Sequence, residues 1–298
     1  MHTAIIVHGG AGSWKSRKEE LPQAIEACRQ AAGRGQELLL QGASALDAVE
    51  AATRILEDCP VLDAGHGSYL NKAGQIEMDA LIMDGESLNL GAVGAMQYVR
   101  NPISLARRIM DECDHAFLVA AGADAFAEQI GFPRCTLENL LSDSQRARLE
   151  RLKQDGARIL GQGESMGTVG AVALDRQGNL AAAVSTGGTE NKMPGRLGDS
   201  PLPGSGAYAD NRTAAAVATG KGEALMKILI SRRVCELVAA GLTASDACEA
   251  AIRILAGRVQ GEGGLIAIDA RGNVGHAYNT VAMPHAFAVG NELVETGK

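Results

Sequence analysis

Gly167-Thr168-Val169-Gly170-Ala171-Val172-Ala173-Leu174-Asp175-Arg176-Gln177-Gly178-Asn179-Leu180-Ala181-Ala182-Ala183-Val184-Ser185-Thr186 reads as two apolar strands joined by a tight turn. Residues 168–175 form an apolar run with no charge before Asp175, as in a buried strand. Arg176-Gln177-Gly178 then turns the chain, with glycine supplying the positive φ of a short hairpin loop, and 179–186 returns it. The same arrangement recurs at 264–269, Ala270-Arg271-Gly272 and 273–280. Working outward, 3–7 predicts a first strand, followed by the turn His8-Gly9-Gly10-Ala11-Gly12. A helix is expected over 21–41, ended by Gly42, and Ser44 caps a second over about 45–58. Cys59-Pro60 stops it. Short strands are expected around 76–83, and helices near 102–111, 122–129 and 142–154. Hairpins flanked by helix pairs argue against a doubly wound parallel sheet and for two antiparallel sheets between helical layers. With no Pro/Ser-rich linker, 1–298 reads as a single domain.

A second repetition links Ala45-Leu46-Asp47-Ala48-Val49-Glu50-Ala51-Ala52 to Ala244-Ser245-Asp246-Ala247-Cys248-Glu249-Ala250-Ala251, each after a capping residue, Ser44 or Thr243. Two readings stand. Good amphipathic helices converge on such patterns, or the chain carries a pseudo-symmetry in which matching helices cover a double sheet.

The 298 residues include 37 Gly, one Trp, four Tyr and four Phe. Small residues suit closely apposed layers. Collagen is excluded by the lack of a G-X-Y period, and disorder by the absence of long polar tracts. The net charge of −7 makes nucleic acid and anionic membranes poor partners. No apolar run reaches membrane-spanning length. The six cysteines show no CxxC spacing, so reduced, mostly buried thiols are expected, with a disulfide framework as the lesser alternative. The start Met1-His2-Thr3 lacks a signal-peptide pattern, which points to a cytoplasmic protein.

Two motifs invite a functional reading and one fails. Gly163-Glu164-Ser165-Met166-Gly167 matches the G-x-S-x-G elbow of serine hydrolases, with His276 and His285 downstream. That elbow needs a strand before the serine and a helix after it, whereas here a glycine-rich loop precedes Ser165 and a strand follows. Ser165 therefore reads as a linker residue. Gly220-Lys221-Gly222 lacks the GK[ST] of a phosphate loop, and no HExxH or Cys/His metal spacing occurs. Gly167-Thr168 is more informative. A threonine hydroxyl is a weak nucleophile that needs a base, and cutting the chain before it creates an α-amine of pKa about 7.7–8.0 that serves as one. The loop 161–167 is suited to such a cut.

Further segments carry a family resemblance. These are Ser185-Thr186-Gly187-Gly188-Thr189, then Asn191-Lys192-Met193-Pro194-Gly195-Arg196-Leu197-Gly198-Asp199-Ser200-Pro201, then Ala218-Thr219-Gly220-Lys221-Gly222-Glu223. With 166–168 before them, they resemble the plant-type asparaginase/isoaspartyl peptidase family of N-terminal-nucleophile hydrolases. The similarity extends over most of the chain. It implies an α+β fold, a four-layer αββα sandwich, made as a precursor that cuts itself between Gly167 and Thr168 into an α chain 1–167 and a β chain 168–298. Thr168 would then attack side-chain amides of asparagine and β-aspartyl dipeptides. Thr186 would tune the nucleophile, and the Thr219 hydroxyl and Gly220 N–H would form the oxyanion hole. Arg196 and Asp199, which by themselves read more readily as a surface ion pair, would by this resemblance hold the substrate α-carboxylate and α-ammonium, matching charge to charge, with the Gly222 carbonyl assisting. The loop 56–67 resembles a structural sodium site using the carbonyls of Leu56, Glu57, Cys59, Leu62, Ala64 and His66. No catalytic cofactor is implied. The partners implied are small zwitterionic aspartyl substrates and a second αβ unit in a homodimer.

Two positions depart from the family pattern. Asp63 stands where Asn is usual, and Lys221 where Thr is common; both bear on specificity more than on reaction class. Two rivals remain at this point. One is a glycosylasparaginase-like amidase, disfavoured by the missing signal peptide, and the other an uncleaved homologue that acts by binding.

Overall fold

The computed structural model describes residues 2–15, 17–155 and 167–297. The first half runs β1 (Ala4–His8), α1 (Leu21–Leu40), α2 (Ala45–Glu57), β2 (Met78–Asp84), β3 (Leu90–Met96), α3 (Pro102–Glu112), β4 (Phe117–Val119), α4 (Ala120–Gln129), α5 (Leu137–Leu140) and α6 (Asp143–Asp155). The second half begins with the hairpin β5 (Val169–Leu174) and β6 (Leu180–Thr186), then β7 (Ala207–Ala209), β8 (Ala214–Gly220) and α7 (Gly222–Leu225). It ends with α8 (Ile230–Ala239), α9 (Ala244–Val259), β9 (Gly263–Asp269), β10 (Val274–Tyr278), β11 (His285–Val289) and β12 (Glu292–Thr296).

The strands form two sheets. One has the order β12-β11-β1-β5-β6-β2-β3-β4, the other β10-β9-β8-β7. All pairings are antiparallel except that of β3 with β4. Three apolar clusters separate four layers. Val169, Ala171 and Ala173 of β5 pack with the helices of the first half, while Val172 and Leu174 meet the other sheet. Ala215 and Val217 of β8 face that same inter-sheet core, while Ala216 and Ala218 face α8 and α9. The architecture is αββα, as expected. Both faces of the central strands are buried, and alanine makes that close stacking possible.

The helix repetition acquires a structural meaning. Ser44 Oγ accepts from Asp47 N–H and Thr243 Oγ1 from Asp246 N–H, at 3.1 and 3.2 Å. α2 covers the hairpin β5–β6 and α9 covers β9–β10. In each hairpin turn an aspartate carboxylate gathers two backbone N–H groups: Asp175 takes Gln177 and Asn179, and Asp269 takes Arg271 and Asn273. Of the two readings, pseudo-symmetry between helix-covered hairpins is the one that accounts for the matching turns.

All six cysteines are free, four of them buried. Among the described residues no helix is long and apolar enough to cross a membrane.

Candidate active site

Strand periodicity places three threonines on one side of their sheets. Side chains alternate along a strand, and Ala182 and Val184 of β6 face the inter-sheet core. Thr186, two residues on, continues that face, and Thr219 continues the face of Ala215 and Val217 on β8. Val169 is paired with Ser185, so Thr168 comes level with Thr186 at the end of the hairpin. Their hydroxyl oxygens lie 3.0 Å apart, and Thr168 and Thr186 are buried. Thr186 Oγ1 also accepts from Gly188 N–H at 3.0 Å.

The glycine turn after β1 holds this end of the sheet together. Gly10 (φ +100°) passes so close to Gly167 that a Cβ on it would stand 2.4 Å from Gly167 N. Gly167 has φ +108°, and a Cβ there would stand 2.5 Å from Asp63 N. Only glycine meets both demands of conformation and space. Next to it, Ala11 N–H donates to Thr219 Oγ1 at 3.2 Å, which fills an acceptor position on that hydroxyl. Asp63 joins the two ends of the hairpin. Its N–H donates to the Gly167 carbonyl at 3.0 Å, and its carbonyl accepts from Gly187 N–H at 2.8 Å. The Asp63 carboxyl is fully buried and takes Tyr69 N–H at 2.8 Å. Burial pushes it up to about 7, against the pull of the Tyr69 N–H, Lys192, Arg17 and Arg196.

A charged group lies alongside. Arg196 donates through Nε to Glu223 at 3.0 Å, with Nη2 2.9 Å from the same carboxylate. Asp199 is 5 % exposed and its Oδ2 has no hydrogen-bond partner. Burial raises its pKa to about 7; Arg196 lowers it, while Glu223 and Asp79 add to the rise. Gly222 separates the two, since a Cβ there would lie 2.9 Å from both Arg196 Nη2 and Asp199 Oδ1. The Gly222 carbonyl, expected at the ammonium, accepts from Met226 N–H, leaving one lone pair of a two-lone-pair acceptor.

Several supporting residues were not singled out from sequence. Glu77 fixes the loop bearing Arg196 by accepting from Gly195 N–H at 3.0 and 3.1 Å, and its carbonyl accepts from buried Lys192 Nζ at 2.7 Å. Asp79 is paired across the sheet with Thr186, which connects the charged group to the threonine pair. In the sequence Glu223 stands only at the end of the motif 218–223. Asp79 lies in the distant strand β2 and Glu77 just before it, and nothing in their local sequence marks them.

Among the described residues no cluster of three or more His, Cys, Asp or Glu side chains suits a metal ion. The loop 56–67 offers backbone oxygens instead. A Cβ on Gly65 would stand 2.5 Å from the Glu57 carbonyl, and one on Gly67 would stand 2.8 Å from that of Leu62. The Glu57 and Cys59 carbonyls accept from His66 and Leu62 N–H respectively, each keeping a second lone pair, while the Leu56 carbonyl already meets both Asp58 and Cys59 N–H. Neutral carbonyl oxygens with a lone pair to spare are the kind of ligand a hard cation takes. Of the elbow motif only Gly167 lies within the described residues; Ser165 lies outside them, and the chain after Gly167 enters a strand, as the rejection of that motif requires.

The family described as Asparaginase matches residues 1–298. The chain is 44% identical over 297 residues to the isoaspartyl peptidase/L-asparaginase of Bos taurus, covering 98% of this chain and 95% of the relative. The protein of the same name from Homo sapiens is 43% identical, with 98% and 95% covered. The isoaspartyl peptidase of Escherichia coli K12 is 40% identical, again with 98% and 95% covered.

Proposed function

The chain belongs to the asparaginase family, and from that premise we infer that it is a threonine amidohydrolase that hydrolyses L-asparagine and β-aspartyl (isoaspartyl) dipeptides. The observation that carries this reading is the Thr168–Thr186 hydroxyl pair, 3.0 Å apart, directly after a glycine whose carbonyl is held by the Asp63 N–H.

Maturation comes first. The Thr168 hydroxyl attacks the Gly167 carbonyl carbon, and the oxyanion that develops is met by the Asp63 N–H, as preorganised donors require. The peptide C–N bond breaks as its nitrogen takes up the hydroxyl proton, leaving Gly167 esterified to Thr168 Oγ1 and freeing the Thr168 amine. Water hydrolyses that ester. The chain is then an α chain 1–167 and a β chain 168–298.

In turnover, the α-amine of Thr168 takes the hydroxyl proton as the oxygen attacks the substrate's side-chain amide. Thr186 orients the nucleophile. Thr219, its oxygen already held by Ala11, and Gly220 N–H receive the oxyanion. Ammonia or an amino acid leaves, and water releases aspartate from the β-aspartyl ester. Arg196 binds the α-carboxylate and Asp199 the α-ammonium. Glu223 steadies the guanidinium from the other side. A sodium ion held by the carbonyls of Leu56, Glu57, Cys59, Leu62, Ala64 and His66 would fix the loop carrying Asp63 and take no part in the chemistry.

Intact-mass measurement of purified protein, paired with ammonia release from asparagine and leucine release from β-Asp-Leu, tests the reading. Two fragments are expected, the second starting at Thr168, with both substrates turned over. A chain that stays whole and inert on long incubation favours a binding protein. Fully cleaved protein that turns over neither substrate points to other amides, a glycosylasparagine included.

A further inference from the structure

Lys221 stands between Gly220 and Gly222, at the seam between the oxyanion donors and the charged group. Its backbone is fixed: the N–H donates to the Glu262 carbonyl at 3.1 Å, and its carbonyl accepts from Ala224 and Leu225 N–H at 2.8 and 3.1 Å. Its side chain is exposed. Among the described residues it makes no ion pair. Two acidic residues lie close by. The Glu223 carboxylate is engaged by Arg196 at 2.9 Å, and Glu262 is exposed, with its carbonyl rather than its carboxylate meeting Lys221. The Lys221 ammonium is nevertheless near enough to help hold Glu223 ionised. Burial opposes that ionisation, and Arg196 and then Lys221 favour it.

Matching charges between site and substrate leaves one over. Asparagine offers one carboxylate and one ammonium, both on its α-carbon, and Arg196 and Asp199 answer them. Nothing on asparagine answers Lys221. A β-aspartyl dipeptide carries a second carboxylate, on the residue that departs, three bonds beyond the scissile carbonyl carbon. That carbonyl must lie against Thr219 and Gly220, the residues directly before Lys221.

We propose that Lys221 is a specificity residue for the leaving side of the substrate, its ammonium pairing with the C-terminal carboxylate of β-aspartyl dipeptides and favouring them over asparagine. The proposal rests on the amidohydrolase reading above. The carboxylate keeps its charge throughout the reaction, so the pairing strengthens ground state and transition state alike. It therefore acts on KM and leaves kcat alone. Lys221 is a flexible point charge and needs no fixed geometry to do this.

The test compares three substrates, β-Asp-Leu, β-Asp-leucinamide and asparagine, on wild type, Lys221→Gln and Lys221→Arg. Lys221→Gln is expected to raise the KM of β-Asp-Leu about two- to fivefold, the range of an exposed ion pair, with kcat held. The amide and asparagine lack the carboxylate and should not share the rise. Lys221→Arg should restore the wild-type KM, which a mere packing defect would not allow. Added salt should erode the wild-type preference for β-Asp-Leu over its amide. An unmoved β-Asp-Leu KM, or one that rises equally for all three substrates, overturns the proposal. Cleaved wild-type protein that turns over none of the three refutes the asparagine and β-aspartyl substrate reading itself, a different result.

Discussion

Thr168 and Thr186 face each other across the end of the β5–β6 hairpin with 3.0 Å between their hydroxyl oxygens, although one begins its strand and the other ends it. Antiparallel pairing makes this inevitable, because Val169 is registered on Ser185. In the proposed mechanism this hydroxyl pair serves two reactions, self-cleavage before Thr168 and turnover. Thr186→Val keeps the shape and deletes the oxygen. It should slow both by about 10²-fold, the scale on which a misplaced reacting group loses rate. Thr186→Ser should keep most of each. Time-resolved intact mass and kcat for asparagine measure the two. A Thr186→Val protein that matures and turns over normally would reduce the contact to packing.

The approach of Gly10 to Gly167 predicts a penalty specific to the uncut chain. Gly10→Ala forces a methyl to within 2.4 Å of Gly167 N at φ +100°, and strain of this kind typically amounts to about 1–3 kcal/mol. In the proposed maturation, cleavage frees Gly167 to retreat and would relieve part of the clash. Thermal unfolding of Gly10→Ala should therefore show a larger loss of Tm in a Thr168→Ala background, locked as precursor, than in cleaved protein. Equal losses would place the strain elsewhere.

Much of this was readable in residue order, and the exceptions share a cause. The hairpins at β5–β6 and β9–β10 announced themselves through strand runs broken by glycine, and Gly178 and Gly272 do adopt φ near +90°. β7 and β8 did not. Ala214-Ala215-Ala216-Val217-Ala218 is buried on both faces, so it shows no polar alternation, and alanine by itself favours helix. The site followed the same division. Thr168, Thr186, Thr219, Arg196 and Asp199 sit in contiguous motifs and Asp63 stands out by its departure from the family pattern, whereas Glu77 and Asp79 reach the site only through sheet pairing and the loop it carries. Long-range pairing leaves no trace in local spacing.

Asp199 should make substrate binding depend on pH. Burial sets its pKa near 7; Arg196 pulls it down, while Glu223 and Asp79 push it up. The ionised form attracts the substrate α-ammonium and the protonated form does not. Above pH 7 the carboxylate is present, and as pH falls through 7 the KM for asparagine should climb. Asp199→Asn should abolish that climb and raise KM at pH 8 by about 30-fold or more, as expected for removing one partner of a buried charge pair. A pH–KM profile that is unchanged in the Asn variant would assign the titration to another group.

The loop 56–67 gives a prediction that needs no turnover at all. Backbone carbonyls crowd its two glycines, for a Cβ on Gly65 would stand 2.5 Å from the Glu57 oxygen and one on Gly67 2.6 Å from that of Pro60. A monovalent cation there binds the folded chain and not the unfolded one, so it stabilises by mass action; at ten times its dissociation constant the gain is about 1.4 kcal/mol. Replacing sodium chloride with choline chloride at constant ionic strength should lower Tm, and titrating sodium back should restore it along a saturating curve. Choline is too large for the loop and contributes the same screening, so the comparison isolates site binding from general salt effects. Because Asp63 lies on this loop and its N–H holds the Gly167 carbonyl, sodium-free precursor should also mature more slowly. Indifference of both Tm and maturation rate to the cation would remove sodium from the site.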